Sequence, residues 1–307
     1  MQVHQLRYFV AAAAEMGISR AAEKLRVSQP ALSRQIGLLE DELGVRLFLR
    51  SRQRISLTPA GRFFLRKARR ILGEMDTAAE QVAAKFGSET PPVRLGFIGP
   101  FLDDLIAPTA RDFARLHPRT KVSLLDLTPQ EQVERLMSGE LDIAILGNVS
   151  PRDQRRLRAE ELMSIPMAAV LPSGHRRADA RSIDLAELSK EDWVSLTDEK
   201  FPGRRAFLQE TCGQAGFRPK LIRDAETIPL MLAGIANGEG VGIAPSHASK
   251  IPHEGCVFIP ISSPAGTSTQ LLLLRKKTPG RPETEALVAI LRKRAAALES
   301  KYRLRTP

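Results

Sequence analysis

The feature that most constrains the fold of this chain is a pair of short helices near its start, separated by a very tight turn. Ser19 is placed to cap a first helix over residues 20–26, because its side-chain oxygen can accept a backbone N–H of the first turn. Val27 then lies in the turn, and Ser28 is placed to cap a second helix. Pro30 fits the first turn of that helix, where the N–H groups have no intrahelical partner. We therefore predict two consecutive helices joined by a minimal turn, which restricts the angle between them.

The second helix has one apolar face and one polar face. Its apolar residues recur at spacings of four, three and four, which places them on one buried face: Leu32, Ile36, Leu39 and Leu43. The opposite face carries an amide, a hydroxyl and a guanidinium with little apolar bulk: Gln29, Pro30, Ser33, Arg34 and Gly37. Arginine can form paired hydrogen bonds with guanine, glutamine with adenine, and serine with phosphate or a base. Any surface helix is polar outside, so this face alone fits an ordinary surface helix as well as a DNA-reading one.

Arginines are concentrated in the stretch that follows this helix. Residues 47–57 have the pattern of a strand pair, and alternation along a strand places Arg50, Arg52 and Arg54 on one side. A run of arginines is often only a solvated surface, but its position directly after a candidate recognition helix favours contact with phosphates or the minor groove. The sequence thus predicts a winged helix-turn-helix over residues 1–58, with its second helix in the major groove of DNA. The predicted DNA-contacting residues are Ser19, Arg20, Ser28, Gln29, Pro30, Ser33, Arg34, Arg50, Arg52 and Arg54.

Four motifs occur in order within the first 61 residues: Leu6-Arg7-Tyr8-Phe9-Val10, Ser19-Arg20-Ala21-Ala22-Glu23-Lys24-Leu25, Ser28-Gln29-Pro30-Ala31-Leu32-Ser33-Arg34-Gln35-Ile36 and Thr58-Pro59-Ala60-Gly61. With these motifs the chain resembles the LysR-type transcriptional regulators, and the dense, ordered match makes the resemblance specific here. The rest of the chain resembles the family more diffusely, in its length and organisation. The resemblance implies an oligomeric DNA-binding regulator with a helical linker and a two-lobed effector domain similar to type 2 periplasmic binding proteins.

Charge is distributed unevenly along the 307 residues. The formal net charge is +11, and residues 1–87 hold 15 Lys and Arg against 8 Asp and Glu. The basic excess therefore coincides with the predicted DNA-reading head, as attraction to phosphates requires. The longest apolar runs, Phe9 to Ala14 and Leu271 to Leu274, are far too short to span a bilayer. We expect a cytoplasmic protein associated with the nucleoid and not with a membrane.

Histidines and cysteines give no indication of a cofactor. The five histidines lack metal-ligand spacing, so we predict no metal site and no cofactor, only a small-molecule effector. Cys212 and Cys256 are 44 positions apart, whereas the peroxide-sensing branch of the LysR-type family spaces its two cysteines closely. We favour two unrelated positions over a redox pair.

A long amphipathic helix is predicted over residues 59–87. Its apolar residues alternate spacings of three and four for three heptads, as in a coiled-coil seam: Leu65, Ala68, Leu72, Met75, Ala79, Val82 and Phe86. Such a stripe needs a partner, which is either a second copy of the chain or the chain's own next domain. We favour a symmetric dimer, which presents two recognition helices to an interrupted palindrome, because residues 88–92 have the composition of a hinge. The predicted dimerisation residues are Leu65, Leu72, Met75 and Val82.

From Val93 the pattern changes to alternating strands and helices. Strand, helix, strand, helix and strand follow one another over residues 93–146, which predicts a parallel sheet, and a second α/β unit begins near Met163. By resemblance, the last strand and helix return to the first lobe, so that the regulatory domain, residues 93–307, has two lobes joined by two crossovers. The expected lobes are about 93–162 with 268–303 and about 163–267. The fold class is thus α/β with an all-α N-terminal head.

The cleft between the lobes is the natural site for a small molecule, because ligands of such sheets bind outside the carboxyl ends of the strands. Thr128 and Thr227 lie at helix starts, where backbone N–H groups favour anions. Each threonine taken singly is also typical of an ordinary helix cap. Arg204 opens another helix and can hold a carboxylate. Pro100-Phe101 replaces the Ser or Thr that many relatives carry after the first strand, which makes the pocket narrower or more apolar. The predicted residues for an anionic effector are Pro100, Phe101, Thr128, Asn148, Thr197, Arg204 and Thr227.

Two other classes of function fit parts of this pattern. A solute-binding module with a nonspecific basic helical cap would show no sequence-specific, salt-dependent DNA affinity. An α/β enzyme requires a nucleophile–base pair or a cofactor loop, and the sequence holds neither a Gly-x-Ser-x-Gly elbow nor a Walker-type loop. We therefore predict no catalytic residues and favour a DNA-binding regulator controlled by an effector. By resemblance it forms a tetramer built from two dimers, and contact with RNA polymerase would follow from the geometry of the bound DNA.

Overall fold

A computed structural model describes residues 1–50, 55–86, 90–147, 149–264 and 266–303. The chain forms two compact units, the first built from Met1–Pro91 with Met137–Glu140 and the second from Pro92–Leu136 with Leu141–Pro307. The first unit is helical with one small strand pair, and the second mixes strands and helices, in agreement with the expected fold class. Within the described residues, no helix is long and apolar enough to cross a membrane.

The described residues of the first unit form four helices and a two-stranded sheet: α1 Val3–Glu15, α2 Ile18–Leu25, α3 Gln29–Leu43, β1 Phe48–Arg50, β2 Ile55–Leu57 and α4 Pro59–Phe86. The apolar face predicted for α3 is confirmed, because Leu32, Ile36 and Leu39 are fully buried. Phe9 of α1 is buried in the same core, with its ring centroid 5.3 Å from that of Phe48. One core therefore holds the helix pair and the wing together.

The two helices of the helix-turn-helix begin differently. Ser28 caps α3 as predicted, and its hydroxyl accepts a hydrogen bond from Ala31 N at 3.4 Å. The prediction that Ser19 caps the preceding helix is wrong, since α2 already begins at Ile18 and Gly17 is its N-cap. The extended backbone of Gly17 (φ −172°, ψ 131°) starts α2 without any side-chain cap. Ser19 is consequently an exposed residue of the first turn.

The Thr58-Pro59-Ala60-Gly61 motif joins the wing to α4. The Thr58 hydroxyl donates to Arg46 O at 2.7 Å and accepts from Gly61 N at 2.8 Å, so one side chain ties the start of the wing to the first turn of α4. A Cβ at Gly61 would stand 2.1 Å from Leu47 O, and only glycine permits so close an approach. This motif is therefore a structural junction.

The second unit alternates strands and helices. In chain order its elements are β3 Val93–Phe97, α5 Ala107–Leu116, β4 Val122–Asp126, α6 Pro129–Ser138, β5 Ile143–Leu146, α7 Pro151–Gln154, β6 Leu157–Pro172, β7 Ile183–Asp184, β8 Asp192–Leu196, α8 Arg204–Gln214, β9 Lys220–Ala225, α9 Ile228–Ala236, β10 Gly242–Pro245, β11 Cys256–Ser263, β12 Ser268–Lys276 and α10 Pro282–Arg303. A 3₁₀ turn, Gly99–Phe101, and a π-helical turn, Leu102–Ile106, lead directly into α5. The sequence pattern missed β7, β9, β11 and α7; β9, for example, is mostly exposed and therefore lacks an apolar run.

Two lobes of this unit share strand β6. In the first lobe the strand order is β4-β3-β5-β12-β6, and β3 is parallel to both β4 and β5, as predicted. In the second lobe β6 pairs with β10 and β11, while β8 pairs with β9. β12 pairs with β5 and β6, so the last strand returns to the first lobe. The expected lobe boundary after residue 162 falls inside β6, which runs without interruption from one lobe into the other.

The two cysteines lie in separate apolar clusters of the second lobe. Cys212 belongs to the core around Trp193, whereas Cys256 borders the cluster formed by α9. Both thiols are free, and burial raises the pKa of Cys212 to about 12. The structure therefore agrees with the interpretation of two unrelated positions.

Candidate DNA-reading surface and effector cleft

The polar face of α3 points away from the core. Gln29, Pro30 and Arg34 are exposed, and Ser33 and Gly37 are half-buried. Within the described part of the chain, no ion pair or hydrogen bond engages the Arg34 side chain. A guanidinium that is held on a rigid helix and not used inside the protein is suited to bind a base edge or a phosphate. The residues of α3 predicted to contact DNA thus share one accessible surface.

The remaining predicted DNA contacts lie on α2 and on the wing. Ser19 and Arg20 are exposed on α2. The wing is an antiparallel pair, in which the backbone of Arg50 lies opposite Ile55. Arg52 and Arg54, together with the side chain of Arg50, lie outside the described residues, so their proposed contact with DNA stays a prediction.

Glu40 links α3 to the wing. Its side chain lies on the apolar face of the helix, and the residue is 2% exposed. Its Oε1 accepts hydrogen bonds from Leu47 N at 2.7 Å and from Phe48 N at 3.1 Å, and its Oε2 accepts one from Arg46 Nη1 at 2.8 Å. Glu40 is absent from the predicted site residues. An acidic residue four positions after Ile36, on a buried helix face, is nevertheless a recognisable sign of a buried polar contact.

The stability of the head is expected to fall in acid through Glu40. Burial raises the pKa of Glu40, but hydrogen bonds from Arg46 and from two backbone N–H groups outweigh burial and hold that pKa below its ordinary value. The folded state therefore binds this proton less tightly than the unfolded chain. The resulting stability is complete above the ordinary pKa and is lost as the pH falls through the lowered one.

Thermal unfolding of the chain and of Glu40→Gln, from neutral pH to about pH 3, measures this contribution. The difference in Tm between the two proteins is expected to shrink on acidification. A difference that stays constant over this range would show that the Glu40 carboxylate does not stabilise the head through its charge.

The seam of α4 is divided between the head and the solvent. Leu65 and Leu72 are half-buried against the core of the first unit, and Ala68 is fully buried there. Packing against the chain's own preceding head therefore accounts for the burial of this first half, whereas the expected alternative to a dimer was the next domain. Met75 and Val82 are 43% and 60% exposed, although they are apolar and continue the same seam. These two residues are the stronger candidates for contact with a second copy.

Substitution of Val82 by glutamate is expected to weaken self-association. A charge in an apolar interface has to be desolvated, so the dissociation constant should rise at least about tenfold. Sedimentation velocity over a concentration series measures this change. Arg70→Glu, at an exposed position on the opposite face of α4, is the matched control and should associate normally. Normal association of the Val82 variant would refute the contact of Val82 with a second copy. Equal weakening in both variants would mean that the added negative charge weakens association wherever it is placed on α4.

A cleft between the two lobes of the second unit has an inner and an outer part. The inner cavity measures about 70 Å³ and is mostly apolar, with Phe101 and Ile165 from the first lobe facing Leu196 from the second. The outer cleft measures about 550 Å³ and is more polar. The two parts adjoin, because they share the lining residues Ile98, Pro100, Phe201 and Ile228.

Most of the predicted effector residues meet at this cleft. Pro100 lines both parts, Phe101 and Arg204 line the inner cavity, and Thr128 and Thr227 line the outer cleft. Thr197 is not among the described lining residues of either part; its hydroxyl accepts Lys200 N at 3.3 Å within a local turn. Asn148 lies outside the described residues.

Thr128 belongs to a closed capping box at the start of α6. Its hydroxyl donates to Glu131 Oε2 at 2.7 Å, and its backbone N–H donates to the same oxygen at 3.0 Å. Burial raises the pKa of Glu131, but these hydrogen bonds outweigh burial and hold that pKa below its ordinary value. A carboxylate of the chain itself therefore occupies the positive end of α6. Thr227 likewise caps α9, where its hydroxyl accepts Leu230 N at 3.3 Å.

Arg204 is a buried cation in the wall of the inner cavity. It is 8% exposed, its Nη2 donates to Ile243 O, and its guanidinium carbon lies 5.4 Å from the ring centroid of Phe207. Burial lowers the pKa of Arg204 to about 10, so the side chain is still charged at neutral pH. Among the described residues, no carboxylate pairs with this guanidinium, and its Nε has no hydrogen-bond partner.

Side-chain contacts join the lobes beside the cleft. The ring centroids of Phe101 and His247 are 4.8 Å apart, and burial lowers the pKa of His247 to about 4, so its ring is neutral at neutral pH. Lys250 Nζ donates to Asp104 Oδ2, although the two residues are 146 positions apart in the sequence. No sequence motif marks either pair, because only the fold brings the partners together.

Comparison with protein families accounts for both units. The model described as "Bacterial regulatory helix-turn-helix protein, lysR family" matches residues 3–62, and the model described as "LysR substrate binding domain" matches residues 86–296. The chain belongs to the LysR family. This membership confirms the predicted fold class, a helix-turn-helix head followed by a two-lobed α/β domain. It also makes the chain a transcriptional regulator with an effector-binding domain and not an enzyme.

Related LysR-type regulators extend over most of the chain. The Hca operon transcriptional activator HcaR of Escherichia coli K12 is 31% identical over 97% of this chain and 99% of its own length. The transcriptional regulator AlsR of Bacillus subtilis 168 is 31% identical over 82% of each chain. The crystal structure of CbnR, a LysR family regulator, covers 96% of this chain and 99% of its own at 25% identity, with a TM-score of 0.70. The helix-turn-helix model assigns DNA binding to residues 3–62, and CbnR has also been crystallised in complex with its target DNA.

Proposed function

We propose that this LysR-type regulator reads an interrupted palindrome in double-stranded DNA through the exposed face of α3. The observation that supports this proposal is the placement of Gln29, Ser33 and Arg34 on the accessible side of a helix whose opposite side is buried. Glutamine and arginine present paired hydrogen bonds to base edges, while a serine hydroxyl can bind a phosphate. The arginines of the wing, Arg50 and Arg52 among them, would add phosphate contacts that carry no sequence information.

The proposed reading unit is a dimer. Met75 and Val82, exposed on the seam of α4, would form its contact, and two such dimers would form a tetramer. A two-fold axis between two heads matches the symmetry of a palindrome, with half-sites about one helical turn apart or a multiple of that. On DNA the assembly would act in the cytoplasm, at the nucleoid, and RNA polymerase would be the partner that responds to its geometry.

The cleft of the second unit is the proposed site of a small anionic effector, without a metal or another cofactor. Both lobes contribute lining residues, so a ligand held there contacts both and favours one lobe arrangement over another. The size of the response is set by the difference in effector affinity between the two arrangements. A change in the lobes would alter how dimers pair and therefore how the DNA between two heads is bent.

Selection of bound fragments from a random DNA pool, at two salt concentrations, tests the reading function. We expect recovery of an interrupted palindrome whose affinity falls steeply with salt, because specific binding combines base contacts with phosphate neutralisation. Salt-sensitive binding without sequence preference would mean that the head is a nonspecific basic module. The selected palindrome then serves as the operator in the measurements below.

A further inference from the structure

We infer that the effector of this chain is a monocarboxylate with a compact apolar body, and that its carboxylate binds Arg204 in the inner cavity and not the helix start at Thr128. The inference rests on the proposed effector role of the cleft and narrows the class of ligand. Three features carry it: a buried cation without a counter-charge, an apolar cavity beside it, and an outer cleft that is rich in carboxylates.

Arg204 is the charge that a ligand can neutralise. The residue is more than nine-tenths buried, and among the described residues its hydrogen bonding is limited to the carbonyl of Ile243, with Nε left without an acceptor. A buried cation without a counter-charge destabilises the ligand-free protein, because folding removes the guanidinium from water without giving it an ionic partner. An anion that binds it offsets part of this free-energy cost. The planar guanidinium matches a carboxylate through two parallel hydrogen bonds.

The rest of the inner cavity requires an apolar ligand body. Phe101, Ile165, Leu196, Phe201 and Leu271 line it, so a second charged group placed there would be left without a partner. Its volume of about 70 Å³ suits a small group, since one water needs roughly 10–15 Å³ by the same measure. A longer hydrocarbon body would extend toward the outer cleft, which adjoins the inner cavity.

The outer cleft disfavours a second negative charge. Among its described lining residues, the acids Asp103, Asp126 and Glu131 outnumber the cation Lys250, which already donates to Asp104. An anion at the start of α6 would face Glu131, whose carboxylate already accepts both hydrogen bonds that the capping residue donates. A dicarboxylate that reached from the inner cavity into the outer cleft would meet these acids, whereas a monocarboxylate would not.

Isothermal titration of the full-length chain with acetate, hexanoate and benzoate tests the ligand class, with benzamide and terephthalate as a neutral and a doubly charged comparison. We expect at least one monocarboxylate to bind, and benzamide and terephthalate to bind at least about 30-fold more weakly than benzoate. Failure of all three monocarboxylates, or equal affinity for benzoate and benzamide, would overturn the inference.

Arg204→Met tests the residue, since it removes the charge at similar volume. We expect monocarboxylate affinity to fall at least about 30-fold, while the Tm of the ligand-free protein stays the same or rises because the uncompensated cation is gone. A lowered Tm with intact binding would make Arg204 a structural residue. Arg204→Lys keeps the charge but not the planar fork, and should weaken binding about tenfold even if the methionine variant fails to fold.

Two further variants serve as controls. Arg205→Met removes the next arginine, which is exposed and paired with Asp224, and should bind monocarboxylates normally. Thr128→Val is the opposite test: loss of binding there with normal binding in Arg204→Met would overturn the inference.

Operator affinity, measured with and without each probe, separates this inference from the proposed function. A response to benzamide and not to carboxylates would overturn the ligand class and leave the effector cleft standing. A response to none of the probes, with operator binding intact, would overturn both the ligand class and the effector role while leaving DNA reading standing.

Discussion

Replacement of Arg34 by alanine is expected to reduce affinity for the selected operator at least about 30-fold, with little change in binding to scrambled DNA. A guanidinium that makes two hydrogen bonds to guanine contributes about 1–3 kcal/mol of discrimination, and a dimer loses this contact in both half-sites. Arg34 is exposed on α3 and, in the described part of the chain, is not engaged elsewhere, so its removal should leave the head folded. Fluorescence anisotropy with operator and scrambled duplexes over a salt series measures the effect.

Two variants delimit this prediction. Arg34→Lys keeps the charge and loses the paired geometry, so an intermediate operator affinity with unchanged salt dependence is expected. Arg111→Ala removes an exposed arginine from α5 in the second unit and should bind as the unchanged chain does. Equal losses for operator and scrambled DNA in Arg34→Ala, with a shallower salt dependence, would make Arg34 a phosphate contact. Unchanged operator affinity would remove it from the interface.

Substitution of Glu40 by alanine is expected to destabilise the head by about 2–4 kcal/mol, because two backbone N–H groups would lose their acceptor in a buried environment. The ion pair with Arg46 adds little, since that arginine is largely exposed. Unfolding of a chain with two units need not be a single transition, so hydrogen exchange at the amides of Leu47 and Phe48 is the direct measurement. Their protection should fall by roughly two orders of magnitude.

The controls for Glu40 separate hydrogen bonding from charge. Glu40→Gln keeps an oxygen that can accept both backbone N–H groups, so a smaller loss, about 1 kcal/mol, is expected. Glu42→Ala changes a half-exposed acid in the same turn and should stay within about 0.5 kcal/mol. If the two amides remained protected in Glu40→Ala, the wing would be held by other contacts. Operator affinity should fall together with protection, because the wing would lose its fixed place beside α3.

The head was largely predictable because its information is local. The Ser28 cap, Pro30 in the first turn and the apolar spacing of α3 all act within one helix, and each was confirmed. The error at Ser19 arose because Gly17, two positions earlier, can begin a helix through extended backbone alone. Glu40 was missed for a different reason, since its partners lie on the wing and only the folded chain brings them to it.

The cleft was predictable in its position and less so in its chemistry. Alternating strands and helices place Thr128 just after a strand and Arg204 at a helix start, and both residues line the cleft. The spacing of Thr128 and Glu131 is that of a capping box. The position of the Glu131 carboxylate at the start of α6 could therefore be predicted from the sequence. The burial of Arg204 and the pairing of Lys250 with Asp104 could not be predicted from the sequence, because both depend on how the two lobes pack.

Both chain crossings between the lobes run side by side. β6 continues from Pro166 to Met167 across the junction, β12 begins opposite Pro166 at Ser268, and Met167 N donates to Thr267 O at 3.0 Å. Two hydrogen-bonded strands resist stretching and sliding, whereas a narrow ribbon of this kind tolerates a wide range of twist. Twisting of this strand pair would therefore change the angle between the lobes while leaving their separation almost unchanged. A ligand held between the lobes would fix that angle. We therefore expect the signal that a filled cleft passes to the rest of the chain to be a change in the angle between the lobes.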